Sequence, residues 1–449
     1  MAKVYYFISD LHIGGDEALG VCDYEAELIA FLDDLAGRRE DAELLIIGDI
    51  FGLWEFTDIK GPEKLQAVMN QFPKIFAALR NAGKTIKITM LPGNHDYEIA
   101  CYPQFVEMLY RYNIHLERTP AVTREIGGRK VWIEHGNQHD AYNHMPDFGN
   151  PHAQPIGYFI TSSVVSTAGK HSKLGRYNWL KDIQSVYPSE QIPYWVMSNY
   201  FYHEMSPLLR WLILPFLLFS GFEVFILGGA ALEWFGVTST NVFPNNRVFS
   251  ALGIVGNLVQ MILIVNTVLF ANFVLLAVPL YMIWRDLKAT LQRFRIVLDP
   301  AELSCEKEQQ YLDAARQVFE DDPSVAIYVY GHTHFPSLRQ FGRRAVINTG
   351  TWLKRLDDVP PRLGFLPKIY VPFFCLNYFK ITEIDGRIVI DYQRIDKAPP
   401  QDLSLPQRLL LPRKHRKVEA EIPERMFLDA DPVGEAEDKG QTATAGKEA

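Results

Sequence analysis

At 449 residues the chain exceeds the usual size of one domain, so it holds one large domain with insertions or two domains. Apolar residues make up 48%, enough for a sizeable core, and a net charge of −8 argues against nucleic-acid binding through bulk positive charge. Cys22, Cys101, Cys305 and Cys375 stand far apart with no CxxC pair, which excludes zinc-finger spacing and fits a reducing compartment.

The opening MAKVYYFISD lacks the pattern of a signal peptide and reads as a buried strand over 3–9. Residues 23–36 predict a helix with Asp23 as N-cap and Leu28, Ile29, Leu32 and Leu35 on one face. ELLIIGD is a second strand, residues 63–81 are helical with a break expected near Pro73, and KTIKITML is a third strand. VTREI and RKVWIEH flank Gly127-Gly128 as a hairpin. From about 141 to 296 the alternation gives way to an aromatic, apolar stretch. It resumes with a helix over 306–320, the strand VAIYVYGHTH, a strand over 345–348 and a hairpin over 378–392 turning at Asp385-Gly386. Strands alternating with helices predict an α/β layered domain, and the Pro-, Lys- and Glu-rich tail over 399–449 is expected to be largely disordered.

Five short motifs place polar residues at the carboxyl ends of apolar runs, where side chains line the crevice of an α/β sheet. SDLH supplies Asp10 and His12, GDIF supplies Asp49, and GNHD supplies Asn94, His95 and Asp96. EHGN supplies His135, and GHTH supplies His332 and His334. Carboxylates, an amide oxygen and imidazoles without thiolates suit Mn, Fe or Zn, and disfavour a structural zinc site. So many ligands predict two divalent ions sharing one carboxylate, the arrangement that clamps a phosphoryl group and activates water.

The five motifs, in this order, resemble the calcineurin-like metallophosphoesterases over about 3–140 and 300–395. The resemblance implies a four-layer α/β/β/α sandwich. It also implies one ion held by Asp10, His12 and His334, a second held by Asn94, His135 and His332, and Asp49 bridging them. His95 would act on the phosphoryl oxygen or leaving group, with Asp96 orienting its ring. NTGTW at 348–352 resembles the segment that follows the last motif in this family. SDLHIGG, GDIFGLWE and GHTHFP further resemble the UDP-2,3-diacylglucosamine hydrolases, bacterial manganese enzymes of the cytoplasmic membrane surface. In those, Arg usually stands at the position of His95 and Asp at that of Asn137. His139 and His144, just after the fourth motif, are candidates for contacting substrate phosphate.

The stretch 141–300 is an insertion that the fold does not need. It holds two candidate membrane spans, 210–234, where Glu223 is the one charge between Arg210 and Glu233, and 248–284, with none. Metal-site motifs lie on both sides of the insertion, so the number of spans must be even. That predicts a two-span hydrophobic helical hairpin with GVTSTNVFPNN as its far loop. Arg210, Arg285, Lys288, Arg293 and Arg295 flank the near side against Arg247 alone at the far side, placing the catalytic domain in the cytoplasm at the inner membrane. The basic stretch KHSKLGRYNWLKD is placed to meet anionic headgroups. The expected partners are a phosphorylated substrate, a lipid among the candidates, and the membrane, with no nucleic acid. A membrane-tethered phosphodiesterase of soluble nucleotides stands as the alternative.

Overall fold

The computed structural model describes residues 3–16, 20, 22–38, 40–165, 182–186, 191–210, 253–293, 300–362, 364, 366–400, 402–412 and 422–429, and positions 216, 220, 221, 224, 228, 232 and 234–237. It divides into two compact units, one of residues 1–199 with 303–449 and one of residues 200–302.

The first unit carries two mixed sheets. In chain order the strands are β1 (Val4–Ile8), β2 (Ala42–Ile47), β3 (Lys87–Leu91), β4 (Ile114–Leu116), β5 (Ala121–Ile126), β6 (Arg129–Glu134) and β7 (Val325–Tyr330). They continue as β8 (Ser337–Phe341), β9 (Arg344–Asn348), β10 (Arg355–Val359), β11 (Ile369–Phe373), β12 (Leu376–Ile384), β13 (Arg387–Ile395) and β14 (Arg425–Asp429). One sheet runs β14-β13-β12-β1-β2-β3-β4 and the other β5-β6-β7-β9-β8, with β10-β11 as a separate ribbon. β1, β2, β3 and β4 are mutually parallel, as are β6, β7 and β9. β1, β2 and β7 are near-continuous apolar runs, as parallel strands covered on both faces require.

The inner faces meet through Tyr5, Phe7, Leu45, Ile47, Val131, Ile133, Ile327, Val329, Phe379 and Ile390. The outer face of the first sheet, with Tyr6, Ile8, Leu44, Ile46 and Ile88, packs under Leu28, Leu32, Leu65, Ile75, Phe76 and Leu109 of the helices Glu25–Gly37, Pro62–Gln71, Pro73–Ala82 and Gln104–Tyr110. Tyr311, Ala315 and Phe319 of the helix Pro300–Asp321 cover the second sheet on Tyr328, Tyr330 and Val346. The architecture is therefore the expected α/β/β/α sandwich. The break at Pro73 is present, because proline forfeits the amide that would continue the preceding helix.

Three expectations change. Tyr24, not Asp23, is the N-cap of the first helix, and no side chain caps it. The tail is not wholly without structure: β14 adds an edge strand to β13, paired from Arg387↔Asp429 to Asp391↔Arg425, and a short helix spans Leu405–Leu410. The second compact unit begins at Tyr200 rather than 141, and described residues of 141–199 pack on the catalytic unit. There Tyr97 donates to the Asp147 carbonyl at 2.8 Å, and Trp195 is buried with Ile183, Val186 and Tyr370.

In the second unit the helix Gly253–Arg293 contains, over Gly253–Ile283, a stretch long and apolar enough to cross a bilayer, with mean hydropathy 2.5. Among the described residues it is the one helix of that kind. The other candidate span, 210–234, lies mostly outside the described residues, as do most of GVTSTNVFPNN and all but the last residue of KHSKLGRYNWLKD. Asn266 Nδ2 donates to Ser220 Oγ at 3.4 Å, and Asn272 Nδ2 to the Val268 carbonyl at 2.8 Å.

Candidate metal centre

The loops after β1, β2, β3, β6 and β7 converge at one end of the sandwich. Backbone bonds zip the first two together, from the Asp10, His12 and Ile13 amides to the carbonyls of Gly48, Asp49 and Ile50 at 2.8–3.1 Å. The Gly331 amide bonds the His135 carbonyl at 2.9 Å, joining the loops after β6 and β7. The motif glycines are needed for this close approach. A Cβ on Gly93 would lie 2.3 Å from Asp49 Oδ1, and one on Gly48, which sits at φ +82°, would lie 2.3 Å from His135 Nδ1.

Three groupings of ligand atoms result: Asp10 with His12 and His334, Asp49 with His135 and His332, and His12 with Glu55 and His95 beside them. Asp10 Oδ1 is 3.2 Å from His334 Nε2. Asp49 Oδ2 faces both groups, 3.6 Å from His12 Nε2 and 3.3 Å from His135 Nε2. Asn94 Oδ1 completes the second cluster at 3.2 Å from His135 Nε2. His135 Nδ1 bonds the Ile47 carbonyl at 2.9 Å, which fixes the tautomer and leaves Nε2 toward the site. All seven residues expected to hold metal are thus together.

The donor set fits divalent ions. Among the described residues His12 Nε2 and His332 Nδ1 are buried without a hydrogen-bond partner, and Asp10 Oδ1 faces only His334 Nε2 at 3.2 Å. Each such orphan costs about 1–3 kcal/mol unless something answers it, and a cation would answer each. Burial alone would raise the Asp49 pKa, but His135, His95 and His12 outweigh it and hold the carboxyl well below its ordinary value. Burial alone would lower the His135 pKa, but Asp49 and Asp10 push it up to about 10, so a cation bound there would displace a proton from this ring.

Five of the site residues, Asp10, His12, Asp49, His332 and His334, have left-handed backbones, at φ +45° to +65°. Each costs on the order of 1–2 kcal/mol, a strain of the kind that clusters at functional sites. The NTGTW segment helps hold it. Thr351 Oγ1 donates to the Asp10 carbonyl at 2.8 Å, and the Ser9 and Thr349 hydroxyls are 2.6 Å apart beneath Asp10.

His95 lies at the edge of the clusters, its ring 4.5 Å from that of His12. Asp96, the residue expected to orient its ring, is not its hydrogen-bond partner. The Asp96 carboxylate instead accepts the amides of Gly93 at 2.6 Å, Ile50 at 2.7 Å and Phe51 at 3.3 Å, so it ties two motif loops together. Glu55 holds His95, with Oε1 at 2.9 Å from Nδ1, and the Trp54 ring covers the imidazole at 4.5 Å between centroids. Burial alone would lower the His95 pKa, but Glu55 and Asp49 push it up to about 9. His139 and His144 are turned toward their own segment, His139 to Glu134 at 2.6 Å and His144 to the Gln138 carbonyl at 3.1 Å. Glu55, Asp140 and Asn143 are contacts that sequence reasoning missed. Glu55 sits in the GDIFGLWE stretch, where the only cue was a carboxylate just past a motif.

The chain matches the family model of the calcineurin-like phosphoesterases over residues 4–228, half of its length. It belongs to that family. The DNA polymerase II small subunit of Pyrococcus horikoshii is 31% identical over 157 residues, covering 30% of this chain and 24% of that subunit. The chain thus spans about a quarter of the length of the curated relative it matches. Among solved structures, a conserved uncharacterised protein of Streptococcus pneumoniae TIGR4, described as a predicted phosphoesterase, aligns at TM-score 0.27 and 11% identity over 90% of this chain and 95% of that one. Zinc-complexed Vps29 of Entamoeba histolytica aligns at TM-score 0.28 and 10% identity, over 88% and 94%. These likenesses are weak, and the family assignment rests on the family match.

Proposed function

We propose that the protein hydrolyses a phosphodiester or pyrophosphate bond of a membrane lipid, using two divalent ions, manganese foremost, at the cytoplasmic face of the membrane. On this assignment Asp10, His12 and His334 hold one ion, Asn94, His135 and His332 the other, and Asp49 both. When bound, such a pair neutralises phosphoryl charge and acidifies the attacking water. His95, its Nδ1 engaged by Glu55, presents Nε2–H to the leaving oxygen or the developing charge.

One observation carries the lipid assignment. Tyr158 packs edge-on against Trp54 at 5.8 Å, and Trp54 covers His95, so the segment around Tyr158 forms one lip of the site. That lip exposes Phe148, Ile156, Phe159 and Ile160, the middle two by nearly 60%. Exposed apolar groups grouped beside a phosphoesterase centre suit acyl chains attached to the scissile phosphate. The apolar helix Gly253–Ile283 supports membrane residence. The catalytic unit takes residues from before and after the insertion, so a single crossing would separate Asp10 from His334. A second crossing in 210–234, touching the first through Ser220 and Asn266, restores the parity.

The test is manganese-dependent hydrolysis by detergent-extracted protein of UDP-2,3-diacylglucosamine and of a water-soluble aryl phosphodiester, with Asp49→Asn and chelator-treated protein as blanks. Turnover of the lipid nucleotide far above the soluble ester supports a lipid phosphoesterase. Turnover of the soluble ester alone refutes the lipid assignment and leaves a membrane-tethered phosphodiesterase.

A further inference from the structure

Two ligands assigned to the same ion share one support that the other ion lacks. Asp140 Oδ2 lies 3.0 Å from His332 Nε2, which leaves the buried, unpartnered Nδ1 of that ring as its ligand atom. The carboxylate is itself anchored, Oδ1 by the Tyr142 amide at 2.9 Å and Oδ2 by Asn143 Nδ2 at 2.9 Å. The same Asn143 turns its Oδ1 toward Asn94 Nδ2 at 3.5 Å, which leaves Asn94 Oδ1 facing His135 and the site. Its backbone carbonyl also accepts Asn137 Nδ2 at 3.0 Å, bracing the loop after β6. Asp140 is buried, so its hydrogen bonds are not exchanged with bulk water. Among the described residues the side-chain bonds of Asp140 and Asn143 go to His332, Asn94 and their own loop, while Asp10 is reached only through the His332 backbone amide at 3.1 Å.

We infer that Asp140 and Asn143 are positioning residues that set the affinity of one metal position, that of Asn94, His135 and His332, and leave the other unchanged. The inference rests on the ligand assignment proposed above. A carboxylate behind a ligating imidazole holds its orientation and raises its basicity, and losing it typically weakens metal binding about 10–100-fold. Asn143 acts on the same position through the Asn94 amide, which without it is free to flip and offer a nitrogen in place of Oδ1. An unequal pair would load one ion tightly and exchange the other.

The experiment is titration of metal-free full-length protein in detergent with manganese, read by calorimetry and by the electron paramagnetic resonance of the bound ions. Asp140→Asn, Asn143→Ala and the wild type are compared. The wild type should take up two ions and show the exchange-coupled spectrum of a manganese pair. Each variant should keep one affinity within about twofold and lose about 10–100-fold in the other. At intermediate manganese it should then show the uncoupled spectrum of a single ion. Asn143→Ala removes no charge and no ligand, so it guards against misfolding in Asp140→Asn. Two unchanged affinities in Asn143→Ala and Asp140→Asn, or equal weakening of both positions, overturn the inference. A wild type that takes up fewer than two ions overturns the ligand assignment, and the inference with it.

Discussion

Replacing Glu55 with Gln tests the support of His95 at nearly constant shape. The Glu55 side chain is 1% exposed and its Oε1 lies 2.9 Å from His95 Nδ1, so the bond is charge-assisted and shielded from water. Such a bond contributes about 1.5–3 kcal/mol, against roughly 1 kcal/mol for the neutral bond that Gln can still make. The loss of about 1–2 kcal/mol, if expressed in the transition state, lowers kcat about 5–30-fold. Glu55→Ala removes the whole bond and should cost more. The assay is kcat of the fully metal-loaded protein on two phosphodiesters, one with a nitrophenyl and one with an alkyl leaving group. A ring that protonates the leaving oxygen matters more for the alkoxide, so the loss should be larger there. Wild-type kcat on both esters, at equal metal content, would refute the role given to Glu55. Equal losses on both would refute leaving-group protonation by His95 and leave stabilisation of phosphoryl charge.

Two further outcomes follow from other buried carboxylates. Asp96→Asn should lower stability by about 1–3 kcal/mol, because the buried carboxylate accepts three amides and Asn offers one oxygen and an unwanted donor. Urea denaturation of the metal-free protein measures it, and an unchanged midpoint contradicts the tying role. Glu43 is buried between Arg124, Lys87 and Thr89. Burial alone would raise its pKa, but Arg124 foremost, then Thr89 and Lys87, hold it below its ordinary value. Its contribution is therefore present above the unfolded-state pKa and lost as pH falls through the folded one. Across that acidic window wild-type stability should fall more steeply with pH than that of Glu43→Gln, and parallel curves would refute the linkage.

The residue types of the centre were legible without coordinates, because each ligand follows an apolar strand and the crevice at strand ends is where such residues meet. The period of the apolar runs was equally readable, so the main strands and helices lie close to where they were expected. Local signals for β4, β8 and the ribbon β10-β11 were weaker, being short or half-polar, and partner strands made them. β14 formed in a tail of disorder-prone composition because β13 offered an open edge.

The amino-acid sequence by itself determined the family, the residues that gather at the candidate metal centre and the presence of a membrane-length apolar helix. These depend on residue type and spacing along one strand end or one helix. Only the tertiary structure decided which carboxylate serves which histidine. Asp96 is adjacent to His95 yet bonds backbone amides, whereas Glu55 comes from another loop to reach the ring. Asp140 serves His332 across 192 positions in the chain. The left-handed backbones of Asp10, His12, Asp49, His332 and His334 had no local cue either. Hydrogen bonds and strain are set by distance in space, and adjacency in the chain does not measure it.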